Sequence, residues 1–314
     1  MTAPAHAPLD SLAQATFPAQ WLEIRKTVDR RMDQLLPCDS QERDLVAAAM
    51  RECALAPGKR IRPLLLMLAA QDLGCDKAGL VDLACAVEMV HAASLVLDDM
   101  PCMDNARLRR GRPTVHLAYG EDVAILSAVA LLSRAFGVVV AAPEVSPAQA
   151  AQVVAELSHA VGVKGLVKGQ LQDLREGNGQ RSAEAIATTN ELKTGVLFSA
   201  TLQMAAIVAD ASPCVRDSLK GFARELGQAF QLLDDLQDCC HDSQALGKDT
   251  HKDDGKSTLV AVLGVEHVRS RLRGHLDNAD AHLDGTYGRG LAISTFVNGL
   301  FTQAMQPDRA PAMA

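Results

Sequence analysis

Carboxylates at two places in the chain have the spacing of a metal site. Asp234, Asp235 and Asp238 form a DDxxD motif. On a helix, Asp234 and Asp238 lie on one face about 6 Å apart, where two negative charges repel each other. A divalent cation relieves this repulsion, and Mg²⁺ takes one or two carboxylates and completes its shell with water and phosphate oxygens. The motif therefore predicts a magnesium site for a phosphorylated ligand.

The second group of carboxylates, Asp98, Asp99 and Asp104, forms a DDxxxxD motif. On an ideal helix Asp104 would point away from Asp98, because six residues rotate the chain by about 600°. Pro101 interrupts the helical hydrogen bonding and can turn the chain so that Asp104 returns. We therefore expect this motif at a distorted helix end. One such motif alone is more often a solvated surface, but two, each after an apolar segment, favour a metal site.

Basic residues that suit phosphate lie just after the first acidic motif and before an apolar segment earlier in the chain. The stretches LRRGRP and GKRIRP carry Arg109, Arg110, Arg112, Lys59, Arg60 and Arg62. The planar guanidinium group of arginine donates two parallel hydrogen bonds to a phosphate. Either stretch alone is more often a solvated loop. No GxxxxGK[ST] loop is present, which disfavours binding of nucleoside triphosphates.

Further polar candidates lie in the second half of the chain and inside apolar segments. Lys193 and Thr194 lie in ELKTG, and His91 and Gln231 lie within apolar helical stretches. The stretch GKDTHKDDGK carries Lys248, Lys252 and Lys256. A lone histidine in such a setting is more often a hydrogen-bonded core residue than a ligand-binding one.

The composition favours helices and argues against several classes of protein. Aromatic residues make up only 3% of the 314 residues, and strands draw on aromatic and β-branched residues. The net charge of −7 argues against nucleic-acid binding, which needs a basic surface. The 8 cysteines form no CxxC pair, which disfavours zinc and is typical of free thiols in a reducing compartment. The N-terminal MTAPAHAPLD lacks the pattern of a secretory signal, so we expect a cytoplasmic protein.

Short breaker segments divide the chain into helical stretches. They are APGKR (56–60), DLGCD (72–76), RRGRP (109–113), PEVSP (143–147), EGNGQ (176–180), DASP (210–213) and the polar stretch 241–256. Apolar residues between them recur at three- and four-residue spacing, which predicts an all-α helical bundle. The segment Val123–Ala142 contains Arg134 and ends before Pro143, so we expect a buried core helix and no membrane span.

The chain is predicted to form one helical domain, residues 16–304, between an N-terminal tail (1–15) and a C-terminal tail (305–314). LVLDDMPCMD at 95–104 resembles LLDDLQD at 232–238, and no linker separates the two halves. We therefore expect a single domain in which the two acidic motifs face each other.

The motifs together resemble the trans-isoprenyl diphosphate synthases, from about Ala56 to Leu263. The resemblance rests on an ordered set: GKRIRP, HAASLVLDDMPCMDNARLRRGRPT, GQLQDL, KTG, FQLLDDLQD and GKDTHKDDGKSTLV. The chain is most similar to the bacterial geranylgeranyl diphosphate synthases of carotenoid pathways. It departs from the usual pattern at Asn105 and Ala106, where acidic residues are common.

This resemblance implies a role for each matching residue. It implies metal ligands at Asp98, Asp99, Asp104, Asp173, Asp234, Asp235 and Asp238. It implies an allylic diphosphate site of Arg109, Gln170, Lys193, Lys248 and Lys256. It implies an isopentenyl diphosphate site of Lys59, Arg62, His91 and Arg110, and a reaction centre lined by Thr194 and Gln231.

The resemblance also implies a fold, an activity and partners. The fold is a single-domain isoprenoid synthase bundle around a deep central cavity, and the protein is a homodimer. The activity is Mg²⁺-dependent condensation of dimethylallyl, geranyl or farnesyl diphosphate with isopentenyl diphosphate, with three Mg²⁺ ions once diphosphate is bound.

The chain length of the product is the least direct of these expectations. Ala93 and Ser94 lie five and four residues before Asp98, where members that stop at fifteen carbons usually carry a large aromatic residue. Their small side chains favour geranylgeranyl diphosphate, with twenty carbons, over the alternative of a farnesyl diphosphate synthase. They could instead serve only to allow close helix packing.

Two other functions remain alternatives. A class I terpene cyclase usually carries Asn, Ser or Thr with Glu in its second metal motif and is rich in aromatic residues. A non-catalytic synthase subunit typically lacks one aspartate motif. DDLQD, the second basic stretch and the two complete motifs favour a synthase.

Overall fold

The computed structural model of the chain describes residues 18–37, 44–176, 179, 181–240, 258–287 and 291–304. Within these ranges the chain is almost entirely helical, as predicted, and the only strands form a two-residue antiparallel pair, β1 (Leu108–Arg109) and β2 (Arg112–Pro113). The helices are α1 (Ala19–Leu35), α2 (Leu45–Ala54), α3 (Ile61–Asp72), α4 (Leu80–Asp98), α5 (Val115–Tyr119), α6 (Glu121–Val140), α7 (Pro147–Val161), α8 (Leu166–Glu176), α9 (Ala183–Asn190), α10 (Val196–Val208), α11 (Pro213–Cys240), α12 (Leu259–Leu263), α13 (Val265–Tyr287) and α14 (Ala292–Ala304). A π-helical turn, Glu191–Gly195, joins α9 to α10.

The breaker segments coincide with the described helix ends. Before α7, Ser146 accepts a hydrogen bond from the Gln149 backbone and the Gln149 side chain accepts one from the Ser146 backbone, with Pro147 at the first helical position. This reciprocal cap satisfies backbone donors that a helix start leaves open. Gly74, just after α3, has φ +70°, which glycine adopts without strain. The polar stretch 241–256 lies outside the described residues.

The core is built around α4 and α10. Helix α4 packs against α1, α2, α3, α6 and α10, and α10 packs against α3, α7 and α11. Long stretches of both helices have fully buried side chains, among them Leu83, Met89, Leu202 and Met204. These packed helices fix α4, α10 and α11 relative to one another, and α4 and α11 carry the two acidic motifs.

Two described helices, α4 and α6, are long and apolar enough to cross a membrane by length and composition alone. The apolar window of α4 is 72% buried within the bundle, but that of α6 is only 44% buried. Arg134, inside α6, donates a hydrogen bond from Nε to the Leu35 carbonyl over 2.9 Å. The expectation of a buried core helix at 123–142 is therefore correct for one face of α6 and wrong for the other.

Two smaller sequence predictions have different outcomes. The cysteines whose side chains the structure describes are free thiols, as predicted: Cys53, Cys75, Cys85, Cys102 and Cys214. The division into two tails and one helical domain stays a prediction, since residues 1–17 and 305–314 lie outside the described residues.

Candidate active site

One cavity of about 400 Å³ collects most of the residues that the sequence singled out. Its wall carries Arg62, His91, Ser94, Asp98, Asp104, Arg109, Gln170, Asp173, Lys193, Thr194, Gln231, Asp234 and Asp235. Lys59, Ala93, Asp99 and Arg110 do not lie on this wall. Asp238 lies one helical turn after Asp234 in α11, but its side chain is not among those that the structure describes. Lys248 and Lys256 lie outside the described residues.

The first acidic motif lies at a distorted helix end, as predicted from Pro101. Helix α4 ends at Asp98, and the chain turns back so that the Asp104 backbone N–H donates to the Asp98 carbonyl oxygen over 2.9 Å. Asn105 takes φ +47°, a conformation that Asn tolerates better than most residues. The turn brings Asp98 and Asp104 to the same cavity wall.

Asp99 points to the other side of the same turn. It is buried and accepts hydrogen bonds from Arg109, including one from Nε over 3.1 Å. It lines a small neighbouring hollow together with Arg109 and Arg110. The described arrangement thus gives the two adjacent aspartates different surroundings: Asp98 lies on the cavity, and Asp99 orients Arg109.

Burial raises the pKa of Asp98 to about 6, because the loss of water and the nearby Asp104 charge outweigh the attraction of Lys193. Burial also raises the pKa of Asp99, which the hydrogen bonds from Arg109 oppose. The carboxylates are therefore held in a setting that disfavours their negative charge unless a cation is close.

The second acidic motif is oriented by a short chain of hydrogen bonds. Thr194 Oγ1 donates to Gln231 Oε1 over 3.4 Å, and Gln231 Nε2 donates to Asp235 Oδ1 over 3.0 Å. Asp235 is buried, whereas Asp234, the residue before it, is exposed to the cavity. Thr194 and Gln231 thus fix the direction of one carboxylate of the pair.

Lys193 is a cation close to the first acidic motif and to Asp173. Its Nζ donates to Asp173 Oδ2 over 2.9 Å. Burial lowers the pKa of Lys193, but Asp98, Asp173 and Asp104 outweigh that effect and hold the pKa above the ordinary lysine value. The ammonium group is therefore charged at neutral pH.

Two glycines allow neighbouring helices to pack against the turn that carries Lys193. Lys193 lies in the π-helical turn, and such turns are frequent at functional sites. A Cβ on Gly169 of α8 would lie 2.4 Å from the Lys193 backbone nitrogen, and one on Gly227 of α11 would lie 2.6 Å from the Gly195 Cα. Both helices therefore pack directly on the backbone of the turn, which the sequence analysis did not anticipate.

A group of basic side chains lies on α3, on α4 and in the loop before α3. The Arg62 guanidinium lies 4.6 Å from the centre of the Phe198 ring, and its buried Nε has no hydrogen-bond partner. Burial and four nearby arginines hold the pKa of His91 well below its ordinary value, so the ring is neutral. His91 lines the cavity, which favours a ligand-binding role over the alternative of a hydrogen-bonded core residue. Lys59 is exposed on the loop before α3.

Several residues of the site were not predicted from the sequence. Arg181, Asn190, Phe198 and Phe230 line the cavity, with the two rings stacked at 5.0 Å between centroids. Glu88 is buried and lies among the arginines. A charged residue inside an apolar helix is a signal that could have identified Glu88 from the sequence.

The carboxylate walls fit a magnesium ion that is shared with a ligand. Among the described residues, no group of three or more His, Cys, Asp and Glu side chains is arranged to hold a metal ion by itself. Gln170 directs a buried Oε1 without a hydrogen-bond partner into the same region. Mg²⁺ needs only one or two carboxylates and takes phosphate oxygens and waters for the rest, so the donors present suit it.

The fold and the cavity define the class of protein: an all-α enzyme whose cavity carries facing acidic walls and a basic recess. The chain belongs to the polyprenyl synthetase family, whose model matches residues 43–284.

The chain is also similar to individual prenyl diphosphate synthases and transferases in sequence and in structure. The chain is 59% identical to the geranylgeranyl diphosphate synthase of Pantoea ananas over 285 residues, 90% of this chain and 93% of the relative. It is 53% identical to that of Pseudescherichia vulneris, over 88% of this chain and 89% of the relative. A crystal structure of the Helicobacter pylori geranyltransferase, complexed with magnesium and isoprenyl diphosphate, matches with a TM-score of 0.81 and 26% identity, over 96% of this chain and 99% of that one.

Proposed function

We propose that the protein is a chain-elongating prenyl transferase that condenses allylic diphosphates with isopentenyl diphosphate, with geranylgeranyl diphosphate as the main product. One observation carries this proposal. Carboxylates of both acidic motifs line the same cavity as a separate basic recess, which includes Arg62 and His91. Such a cavity offers one diphosphate a metal-bridged site and a second diphosphate a site of basic side chains without a metal ion.

The allylic diphosphate binds at the acidic walls. Asp98, Asp104 and Asp234 face the cavity and would hold Mg²⁺, three ions in all once diphosphate is bound. Asp99, Asp173, Asp235 and Asp238 complete the proposed ligand set, with Gln170 beside them. Arg109, Lys193, Lys248 and Lys256 supply the remaining positive charge. When bound, Mg²⁺ neutralises the diphosphate and so makes it a better leaving group.

Isopentenyl diphosphate binds in the basic recess, held by Lys59, Arg62, His91 and Arg110. The neutral imidazole of His91 can donate one hydrogen bond without adding charge to a crowded set of cations. Arginine suits this task because its rigid fork matches two phosphate oxygens. The recess thus places the double bond of the second substrate beside the reacting carbon of the first.

The chain's own residues then stabilise charge and exclude water. Lys193 and Arg109 stabilise the departing diphosphate, and Thr194 and Gln231 line the space where the allylic cation is attacked. The double bond of isopentenyl diphosphate attacks the allylic cation, and the adduct then loses a proton to the released diphosphate, so no side chain has to act as a nucleophile or as the base. Apolar residues around the reacting carbons, among them Leu95 and Leu197, keep water away from the cation.

Chain length is set beside the first acidic motif. Ser94 lies on the cavity wall, and its Oγ donates to the His91 carbonyl oxygen over 2.8 Å. Ala93 is fully buried and lies off the described wall, which favours the packing alternative for that residue. We therefore propose that Ser94 leaves room for a twenty-carbon product. A farnesyl diphosphate synthase remains the alternative.

The protein acts as a homodimer in the cytoplasm. The outer face of α6 exposes Ile125, Leu126, Val129 and Val140, an apolar stripe on a helix packed on its other side. A second copy that packs its α6 against this stripe would remove it from water.

The proposed reaction is tested by incubating the pure protein with farnesyl diphosphate, labelled isopentenyl diphosphate and Mg²⁺. We expect Mg²⁺-dependent incorporation of label into an acid-labile allylic product, abolished by EDTA and restored by added Mg²⁺. Release of diphosphate without isopentenyl diphosphate, with cyclic hydrocarbon as product, would identify a terpene cyclase instead. No turnover under any condition would favour a non-catalytic subunit.

A further inference from the structure

Glu88 is a buried carboxylate that the proposed reaction does not use. It lies in the apolar helix α4, ten residues before Asp98, and is 2% exposed. A buried charge is costly unless it is paired. We therefore ask which cations pair with the Glu88 carboxylate.

Two arginines from different segments approach the Glu88 carboxylate. Arg60 Nη1 donates to Glu88 Oε1 over 3.0 Å, while Arg60 Nε donates to Asp29 Oδ1 over 2.7 Å. The Arg110 Nη2 lies 4.0 Å from the same Glu88 oxygen. Arg60 is thus shared between two carboxylates, and Glu88 is shared between two arginines.

The loop before α3 holds Arg110 from the other side. Arg110 Nη1 donates to the Ala56 carbonyl over 3.4 Å, and a Cβ on Gly58 would lie 2.8 Å from the Arg110 Cζ. The guanidinium group therefore lies flat against the backbone of this loop, with Glu88 at its edge. A side chain at position 58 would have to displace this guanidinium group.

Glu88 also acts on the cation that faces the cavity. Burial and the Arg110 charge lower the pKa of Arg62 to about 10, and the Glu88 charge opposes this shift. Three guanidinium groups close together repel one another, and Glu88 is the carboxylate that offsets this repulsion within α4.

We propose that Glu88 is a positioning residue of the second diphosphate site, where its carboxylate keeps the Arg110 guanidinium in the arrangement that isopentenyl diphosphate requires. This inference rests on the proposed function. A carboxylate beside a diphosphate site weakens the attraction between the site and the anion. It also holds the arginines in place before the anion binds, so that binding does not have to bring mutually repelling cations together. Preorganisation of this kind is worth more than the extra charge when the cations are already crowded.

The test compares Glu88→Gln with Asp29→Asn. Both substitutions remove one carboxylate from Arg60, but only the first removes the neighbour of Arg110. Isopentenyl diphosphate alone is titrated into each folded protein by calorimetry, since no reaction occurs without an allylic partner. KM values for isopentenyl and farnesyl diphosphates are then measured with Mg²⁺, and melting temperatures record the structural cost.

We expect Glu88→Gln to weaken isopentenyl diphosphate binding about tenfold, because the neutral amide no longer attracts the Arg110 guanidinium 4.0 Å away. The KM for farnesyl diphosphate changes less than about twofold. Asp29→Asn lowers the melting temperature and leaves both KM values unchanged. In an Arg110→Ala background, Glu88→Gln has little further effect on isopentenyl diphosphate binding, because both act on one contact.

Glu88→Asp keeps the charge that Arg60 needs and withdraws the carboxylate by about 1.5 Å, so it guards against loss of folding in the Gln variant. It is expected to bind isopentenyl diphosphate with intermediate affinity. Unchanged or tighter binding in both Glu88 variants, or equal losses in Glu88→Gln and Asp29→Asn, would overturn the inference. A wild-type protein that does not elongate farnesyl diphosphate would instead contradict the proposed function.

Discussion

At the scale of residues, position within a turn decides what each aspartate does. Asp98 and Asp99 are neighbours in the chain, yet one faces the cavity and the other bonds Arg109. Ala106 is buried against the same turn, and its carbonyl oxygen accepts a hydrogen bond from Thr114 Oγ1 over 2.8 Å. The turn thus has a small apolar residue two positions after Asp104, on the wall of the same cavity.

Removal of a single cavity carboxylate should lower turnover by orders of magnitude without unfolding the protein. Asp98→Ala and Asp234→Ala are each expected to lower kcat by about a hundred- to a thousandfold, since each removes a proposed metal ligand. Relief of repulsion between carboxylates leaves the melting temperature equal to or above that of the wild type. Asp217→Ala, an exposed aspartate on the same helix as Asp234, serves as the control and should keep full activity. Near-normal turnover of either cavity variant would contradict the metal assignment.

The positions of some site residues could be predicted from the sequence, and those of others could not. Pro101 is enough to predict a turn that returns Asp104, because proline has a fixed φ and no N–H. The side to which Asp99 points could not be predicted, since it depends on a turn whose backbone angles the sequence does not determine. Glu88 was missed because its role depends on Arg60 and Arg110, which reach it from other segments.

At the scale of elements, helix boundaries followed from glycine and proline, whereas helix contacts did not. The breakers from 56–60 to 210–213 predicted where described helices end, because Gly, Pro and Asp have local conformational preferences. The π-helical turn at Glu191–Gly195 has no such local signal. It is held by α8 and α11, which pack on its backbone through Gly169 and Gly227.

Gly227 should therefore be intolerant of even one methyl group. Gly227→Ala places a Cβ against the Gly195 backbone and is expected to cost about 1–3 kcal/mol of stability. It should also lower kcat, since it shifts the turn that carries Lys193. Gly274→Ala is the matched control, because a Cβ there meets nothing within 4 Å inside α13, and it should stabilise the helix by about 0.4–1 kcal/mol. Equal free energies of unfolding for the two variants, measured by chemical denaturation, would contradict this account.

The place of Ser94 on α4 gives a test of chain length. Ser94→Tyr is expected to fill the cavity below Asp98 and shift the main product to farnesyl diphosphate, measured by chromatography of the dephosphorylated alcohols. Ala93→Tyr puts the same ring into a fully buried position and should mainly lower the melting temperature. A Ser94→Tyr protein that still makes mostly the twenty-carbon product would show that this residue does not bound the cavity.

At the scale of the whole molecule, the protein combines a negative net charge with anionic substrates. The formal charge is −7, yet the recess around Arg62 is rich in arginine. Metal ions at the acidic walls would reverse the sign of the remaining charge where diphosphate binds. The long-range charge of the surface is therefore a poor guide to the ligand, and the local arrangement of cations is a better one.

The exposed stripe on α6 predicts the assembly state. Light scattering at micromolar concentration should give twice the chain mass of 33.4 kDa. Val129→Asp puts a charge into the proposed interface and should give the single-chain mass, because a buried unpaired charge is costly. Val262→Asp, an exposed valine on another helix, is the control and should leave the mass unchanged. A wild-type mass near 33.4 kDa would contradict the homodimer.

The most direct test of the central claim is the size of the product. The pure protein is incubated with Mg²⁺, excess isopentenyl diphosphate and, in separate reactions, dimethylallyl, geranyl or farnesyl diphosphate, and the dephosphorylated products are sized by chromatography. The proposed site predicts geranylgeraniol as the main product from all three primers. Farnesol as the end product, or no elongation of farnesyl diphosphate, would contradict it.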